Sequence, residues 1–163
     1  MSIRNFYTKT CFKFFPAYRL RRSGAKVGKN VFFGEGVYIE LENAKCLEIG
    51  DKVVLSAFTK IILHDSSLNN VDNFEVLFGK VIIKKNAYIG AGSIILPGAT
   101  IGENTIVGAG SLVKGELKSD SVYAGNPVRY IETLDKLKSK WKNIIGKSVF
   151  LKNMQKWYEK KNP

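Results

Sequence analysis

The chain contains a single histidine, His64, in the stretch KIILHDSS. An imidazole, with an unperturbed pKa of about 6.5, is the side chain best suited to taking a proton near neutral pH. Asp65 follows directly and could orient the ring, although neighbouring residues on an extended chain point to opposite sides. Glu40 or Glu42, upstream, could do the same, with Asp65 the first choice. One histidine cannot supply a three-histidine metal site, so no metal is expected. The two cysteines, Cys11 and Cys46, have no CxxC spacing and lie in no nucleophile motif. They point to a reducing compartment without structural zinc. Whether His64 is a base or an ordinary surface residue depends on what holds it.

The elements around it carry a repeat of six. Ile83, Ile89, Ile95, Ile101, Val107 and Val113 are spaced by six residues, and the position four after each of the first five is small: Ala87, Ser93, Ala99, Thr105 and Ser111. A helix would scatter such positions around its surface, and a flat strand would not run through Gly90, Gly102 and Gly108. The spacing predicts a solenoid in which each hexad is a short strand and a corner, three hexads closing one coil. The register recurs at Val27, Phe33 and Ile39, and again at Ile49, Leu55 and Ile61. Two breaks interrupt it. The first is short, between Ile39 and Ile49; the second inserts a loop at about 64–80, carrying Phe74, Leu77 and Phe78, next to His64. Most of the aliphatics are scaffold, and chemistry is expected where the period fails.

The stretches IGDKVVLSAFTKIILHDSS, IGAGSIILPGATIGENTIVGAGSLV and AGNPVR resemble the hexapeptide-repeat acyltransferases, in particular the sugar and polysaccharide O-acetyltransferase branch. The resemblance covers about residues 27–131. It implies a mainly β fold, a left-handed parallel β-helix assembled as a homotrimer, with acetyl-coenzyme A in a cleft between subunits. It also implies His64 as general base for attack of a sugar hydroxyl on the thioester, with Asp65 beside it. Ala91 and Ala109 match positions where the backbone lines the pantetheine arm, and Lys114 and Arg129 match basic positions near the phosphates and nucleotide. Tyr88 stands where the family commonly has tryptophan. The acceptor is expected to be a sugar of a bacterial surface polysaccharide or its precursor. N-acetylation of an amino sugar nucleotide and a noncatalytic β-helix scaffold are the alternatives.

The 163 residues, 45% hydrophobic and 12% aromatic, fit one domain with a substantial core. The formal charge of +12 sits on the two ends: residues 1–29 contribute +8 and residues 129–163 contribute +7, against −3 for the middle. The expected organisation is a basic, aromatic segment at 1–26, the β-helix at 27–130, and an amphipathic helical extension at 131–163. In that extension Ile131, Leu134, Leu137, Trp141 and Ile144 fall at helical spacing, then Val149, Phe150, Met154 and Trp157 suggest a second helix. Such helices could cap the solenoid, while their lysines could contact anionic lipid. Nucleic acid is not expected, since charge alone supports it. No signal-type start or membrane-length apolar run is seen, so a cytoplasmic protein, peripheral at most to the inner face of the membrane, is expected.

Overall fold

The computed structural model describes residues 16–147 and residue 156. Successive hexads form two- and three-residue strands that wind through three parallel sheets. The first coil is β1 (Lys26–Val27), β2 (Phe32–Phe33) and β3 (Tyr38–Ile39); the second is β4 (Leu47–Ile49), β5 (Val54–Leu55) and β6 (Lys60–Ile61). The third is β9 (Val81–Ile83), β10 (Tyr88–Ile89) and β11 (Ile94–Ile95). The fourth is β12 (Thr100–Ile101), β13 (Ile106–Val107) and β14 (Leu112–Val113), and β15 (Glu116–Leu117) and β16 (Ser121–Ala124) begin a fifth. Equivalent strands stack in the orders β1-β4-β9-β12-β15, β2-β5-β10-β13-β16 and β3-β6-β11-β14.

The register explains the period. Ile49, Ile83, Ile101 and Leu117 pair in one sheet, Leu55, Ile89 and Val107 in the second, and Ile61, Ile95 and Val113 in the third. All are buried, in a single stripe of aliphatic side chains along the axis. The small residues fill the corners from inside, and Ala87, Ser93, Ala99, Thr105 and Ser111 are equally buried. Their hydroxyls are satisfied locally: Thr105 Oγ1 donates to the Lys118 carbonyl at 2.8 Å, and Ser111 Oγ to the Gly108 carbonyl at 2.6 Å. Gly90 tolerates no side chain, because a Cβ there would lie 2.4 Å from the Ala109 nitrogen in the coil above.

One corner takes a left-handed backbone in every coil, at Asn30, Lys52, Asn86, Asn104 and Asp120. Asparagine and aspartate accept that region most readily among residues with a side chain. Stacking adds a ladder, Asn86 Nδ2 donating to Asn104 Oδ1 at 3.0 Å and Asn104 Nδ2 to Asp120 Oδ1 at 2.8 Å. On the outward side of the first sheet Glu48 lies between Lys26, at 2.8 Å, and Lys80, at 2.7 Å. Hydrogen bonds from those two ammonium groups hold its carboxyl at about 2, well below the usual carboxylate range.

Both period breaks are real. A single 3-10 turn, Ala44–Cys46, absorbs the extra residues between β3 and β4. The second break is not irregular loop throughout: β7 (His64–Asp65) leaves the coil, a short helix α2 (Ser67–Asp72) reverses the chain, and β8 (Leu77–Phe78) returns antiparallel to β7.

Residues 16–22 (α1), within the basic N-terminal segment, are helical and bury Ala17 and Leu20 against the first coil. At the other end residues 131–133 are not helical: β17 (Arg129–Thr133) pairs antiparallel with β16, and the helix α3 spans Leu134–Lys147. The strand wins because Tyr130, Glu132 and Thr133 pair with an edge of β16 that would otherwise be open, Ile131 forming a bulge between them. Glu132 is buried and ties down the helix through Lys140 Nζ at 2.6 Å. The helix does not seal the core, since none of its residues is buried. It stands beside the second sheet, and Leu137 and Trp141 face Tyr88 and Ile106 across an apolar groove of about 620 Å³. The second helix expected around 149–157 lies outside the described residues.

Candidate active site

His64 and Glu40 occupy the same corner of adjacent coils. Ile39 pairs with Ile61, so Glu40 aligns with Ile62 and lies one coil away from the turn that carries Leu63 and His64. Neighbouring strands are about 4.8 Å apart, close enough for side chains in consecutive coils to meet. Glu40 Oε2 lies 2.8 Å from His64 Nδ1 and accepts a second hydrogen bond from the Leu63 backbone N–H at 3.0 Å. The glutamate side chain is 11% exposed and the imidazole 38% exposed. The carboxylate is therefore held from two directions, while the ring keeps one edge open.

The arrangement fixes the tautomer by hydrogen-bond logic. A carboxylate only accepts, so Nδ1 must carry the proton and Nε2 must present its lone pair. A proton taken at Nε2 creates an imidazolium beside a nearly buried anion, which stabilises it. The geometry suits a general base.

Asp65, the first choice from sequence, is not the partner of this ring. It is exposed, and its Oδ1 accepts from the Ser67 backbone N–H at 2.9 Å, closing the turn into α2. That hydrogen bond, with smaller contributions from His64 and Lys114, keeps its carboxyl below the usual range. The reason is strand geometry: on β7 the side chains of His64 and Asp65 point to opposite sides. Glu42 is exposed as well. The signal for Glu40 was present in the repeat, in its position directly after the inward Ile39, but only the number of residues absorbed by the 3-10 turn puts it in register with His64.

The residues assigned to the pantetheine arm form a different corner. Gly92 N donates to the Ala57 carbonyl at 2.9 Å, and Gly110 N to the Ala91 carbonyl at 2.8 Å, so Ala57, Ala91 and Ala109 stack over three coils. Ala91 and Ala109 are exposed, and a Cβ added at Gly92 or Gly110 would meet nothing within 4 Å. The result is a shelf of small residues, bounded on one side by the exposed ring of Phe58, a residue the sequence did not single out. Arg129 is exposed at the start of β17, beyond the last coil of that shelf. Lys114 is exposed too, but directly follows β14 and stands at the His64 corner, within electrostatic range of Asp65. Tyr88 faces the groove beside α3. Among the described residues, no three His, Cys, Asp or Glu side chains come together in a way that could hold a metal.

The two corners are therefore distinct. Within one coil, Ala109 lies in the turn before β14 and Lys114 directly follows that strand. The outward face of the third sheet lies between them.

Comparison with known proteins agrees with this architecture. Residues 80–115 match the family described as bacterial transferase hexapeptide (six repeats). A maltose O-acetyltransferase from Clostridium difficile 630, of known crystal structure, is 30% identical, with 70% of this chain and 72% of that chain covered and a TM-score of 0.52. A galactoside acetyltransferase solved in complex with coenzyme A is 25% identical over 73% of this chain and 70% of that one, at a TM-score of 0.55. The galactoside O-acetyltransferase of Lactococcus lactis is 35% identical, over 61% of this chain and 51% of its own length. The chain spans between 51% and 65% of the length of the first curated relatives it matches. With its hexads stacked in a left-handed β-helix, this chain belongs to the hexapeptide-repeat transferase family.

Proposed function

We propose that the protein is an acetyl-coenzyme A-dependent O-acetyltransferase that modifies a hydroxyl of a sugar in a bacterial surface polysaccharide or its precursor. The observation that carries the reading is the Glu40–His64 contact of 2.8 Å, with Glu40 also held by the Leu63 N–H. Acetyl-coenzyme A supplies an already activated thioester, so a base and correct placement suffice for transfer. His64 Nε2 takes the proton of the acceptor hydroxyl as its oxygen attacks the thioester carbonyl, and gives it to the departing sulfur. Glu40 is a positioning residue, holding the tautomer and the imidazolium. Asp65 shapes the turn beside them. Ala91 and Ala109 give the pantetheine arm its shelf, and Lys114 and Arg129 bring positive charge toward phosphates.

The separation of the two corners supports a homotrimer in which the His64 corner of one copy faces the shelf of the next. A cyclic, head-to-tail interface joins different surfaces in this way. The test of the function is a screen of pyranosides, oligosaccharides and amino sugars with labelled acetyl-coenzyme A, followed by thiol release. Label on a sugar hydroxyl is expected. Label confined to amines would replace the reading by N-acetylation, and failure to bind acetyl-coenzyme A in calorimetric titration would leave a scaffold.

The basic ends support work at the inner face of a membrane. On α3, Lys136, Lys138, Lys140, Lys142 and Lys147 accompany the exposed Trp141 and Ile144. Each basic residue near an anionic bilayer adds roughly 1 kcal/mol. Among the described residues no helix is long and apolar enough to cross a membrane. Vesicles containing anionic lipid should retain the protein at low salt and release it at high salt. No retention at low salt refutes this location.

A further inference from the structure

The hairpin that leaves the coil at His64 carries an aromatic ring no proposed step has yet used. His64 and Phe78 are cross-strand partners in the β7–β8 ribbon, as are Asp65 and Leu77. Directly opposed residues project from the same side of a ribbon. Phe78 therefore shares the catalytic side, whereas Leu77 belongs with Asp65 on the other. The phenyl and imidazole centroids are 6.1 Å apart and their planes are tilted by 30° to one another. Phe78 is 57% exposed, unlike the aliphatics of the solenoid. Its ring is therefore open to a ligand on the side of the hairpin that carries the imidazole.

We propose that Phe78 is the platform on which the acceptor sugar lies, and so a specificity-determining residue; the proposal rests on the sugar O-acetyltransferase reading above. A pyranose has a face of C–H bonds that covers an aromatic ring, while its hydroxyls project from the edge. With 6.1 Å between the ring centroids, a pyranose resting on Phe78 lies within reach of the imidazole and can present an edge hydroxyl to it. An open-chain polyol has the same hydroxyls but no rigid C–H face, and gains little from the platform.

The experiment compares wild type with Phe78→Trp, Phe78→Leu and Phe78→Ala, using methyl galactopyranoside, maltose and galactitol as acceptors. Thermal midpoints serve as the control; the hairpin lies outside the coil and its residues are largely exposed, so the fold should be unaffected. For Leu and Ala the KM of the cyclic acceptors should rise about tenfold, the scale of one aromatic contact. Their kcat and their KM for acetyl-coenzyme A should stay within about twofold, and Trp should match wild type. The preference for pyranosides over galactitol should shrink in the Leu and Ala variants. A Leu variant with unchanged acceptor KM, or a Trp variant as impaired as Ala, overturns the platform and leaves the transferase reading intact. Wild-type enzyme that transfers acetyl to none of the sugars overturns both, and is recognised without any variant.

Discussion

His64→Ala lowers kcat by about 10²–10⁴-fold, the usual contribution of a positioned general base. The KM for acetyl-coenzyme A should change little, because in the proposed site the shelf of Ala91 and Ala109, not the imidazole, holds the arm. The fold is untouched: the imidazole is partly exposed and belongs to the outgoing hairpin, not to the buried stripe. Steady-state kinetics on any acceptor found by the labelling screen provides the measurement, and a well-folded His64→Ala protein of wild-type rate sinks the mechanism. The same variant tests the assembly. Ala109→Trp should fill the shelf and inactivate the enzyme in a different way. If each site joins the His64 corner of one copy to the shelf of the next, refolding equal amounts of the two inactive proteins together restores sites at about a quarter of interfaces, as random mixing in a cyclic trimer requires. Sites complete within one chain would restore none.

The second large effect is expected at Glu40. Glu40→Gln keeps the size and one acceptor oxygen but removes the charge facing Nδ1. The Leu63 N–H competes for the remaining oxygen, and an amide that turns its NH2 toward Nδ1 favours the wrong tautomer. A loss of about 10²-fold in kcat is expected, equal to about 2.7 kcal/mol of barrier. Asp65→Asn should leave kcat close to wild type, because that carboxylate is engaged with Ser67. If Asp65→Asn proves the damaging change and Glu40→Gln the harmless one, the assignment of the orienting acid is reversed.

The hexad was legible because the solenoid is a nearly one-dimensional object. Each coil repeats the contacts of its neighbours, so the inward positions recur along the chain and Ile83 to Val113 can be counted off without knowing any contact. His64 was legible for a related reason: it is the only histidine and stands where the count stops. The small residues followed too, since a corner has room inside only for Ala, Ser or Thr.

Other features depended on contacts between coils. The choice of Glu40 over Asp65 turns on how many residues the 3-10 turn at Ala44–Cys46 absorbs, which sets the register between β3 and β6. Phe78 was visible only as one apolar residue of an inserted loop until its pairing opposite His64 brought the ring centroids to 6.1 Å. Residues 131–133 followed helical spacing, yet the open edge of β16 took them as a strand. Lys114 and Arg129 were grouped by motif, whereas the coil divides them between the His64 corner and the end of the shelf. Periodicity and residue type determined the scaffold and singled out His64 by themselves, since both are written locally along the chain. The carboxylate that holds its ring, the phenyl ring beside it and the separation of the two corners were decided by tertiary structure, because each is a relation between residues that only the stacking of coils brings together.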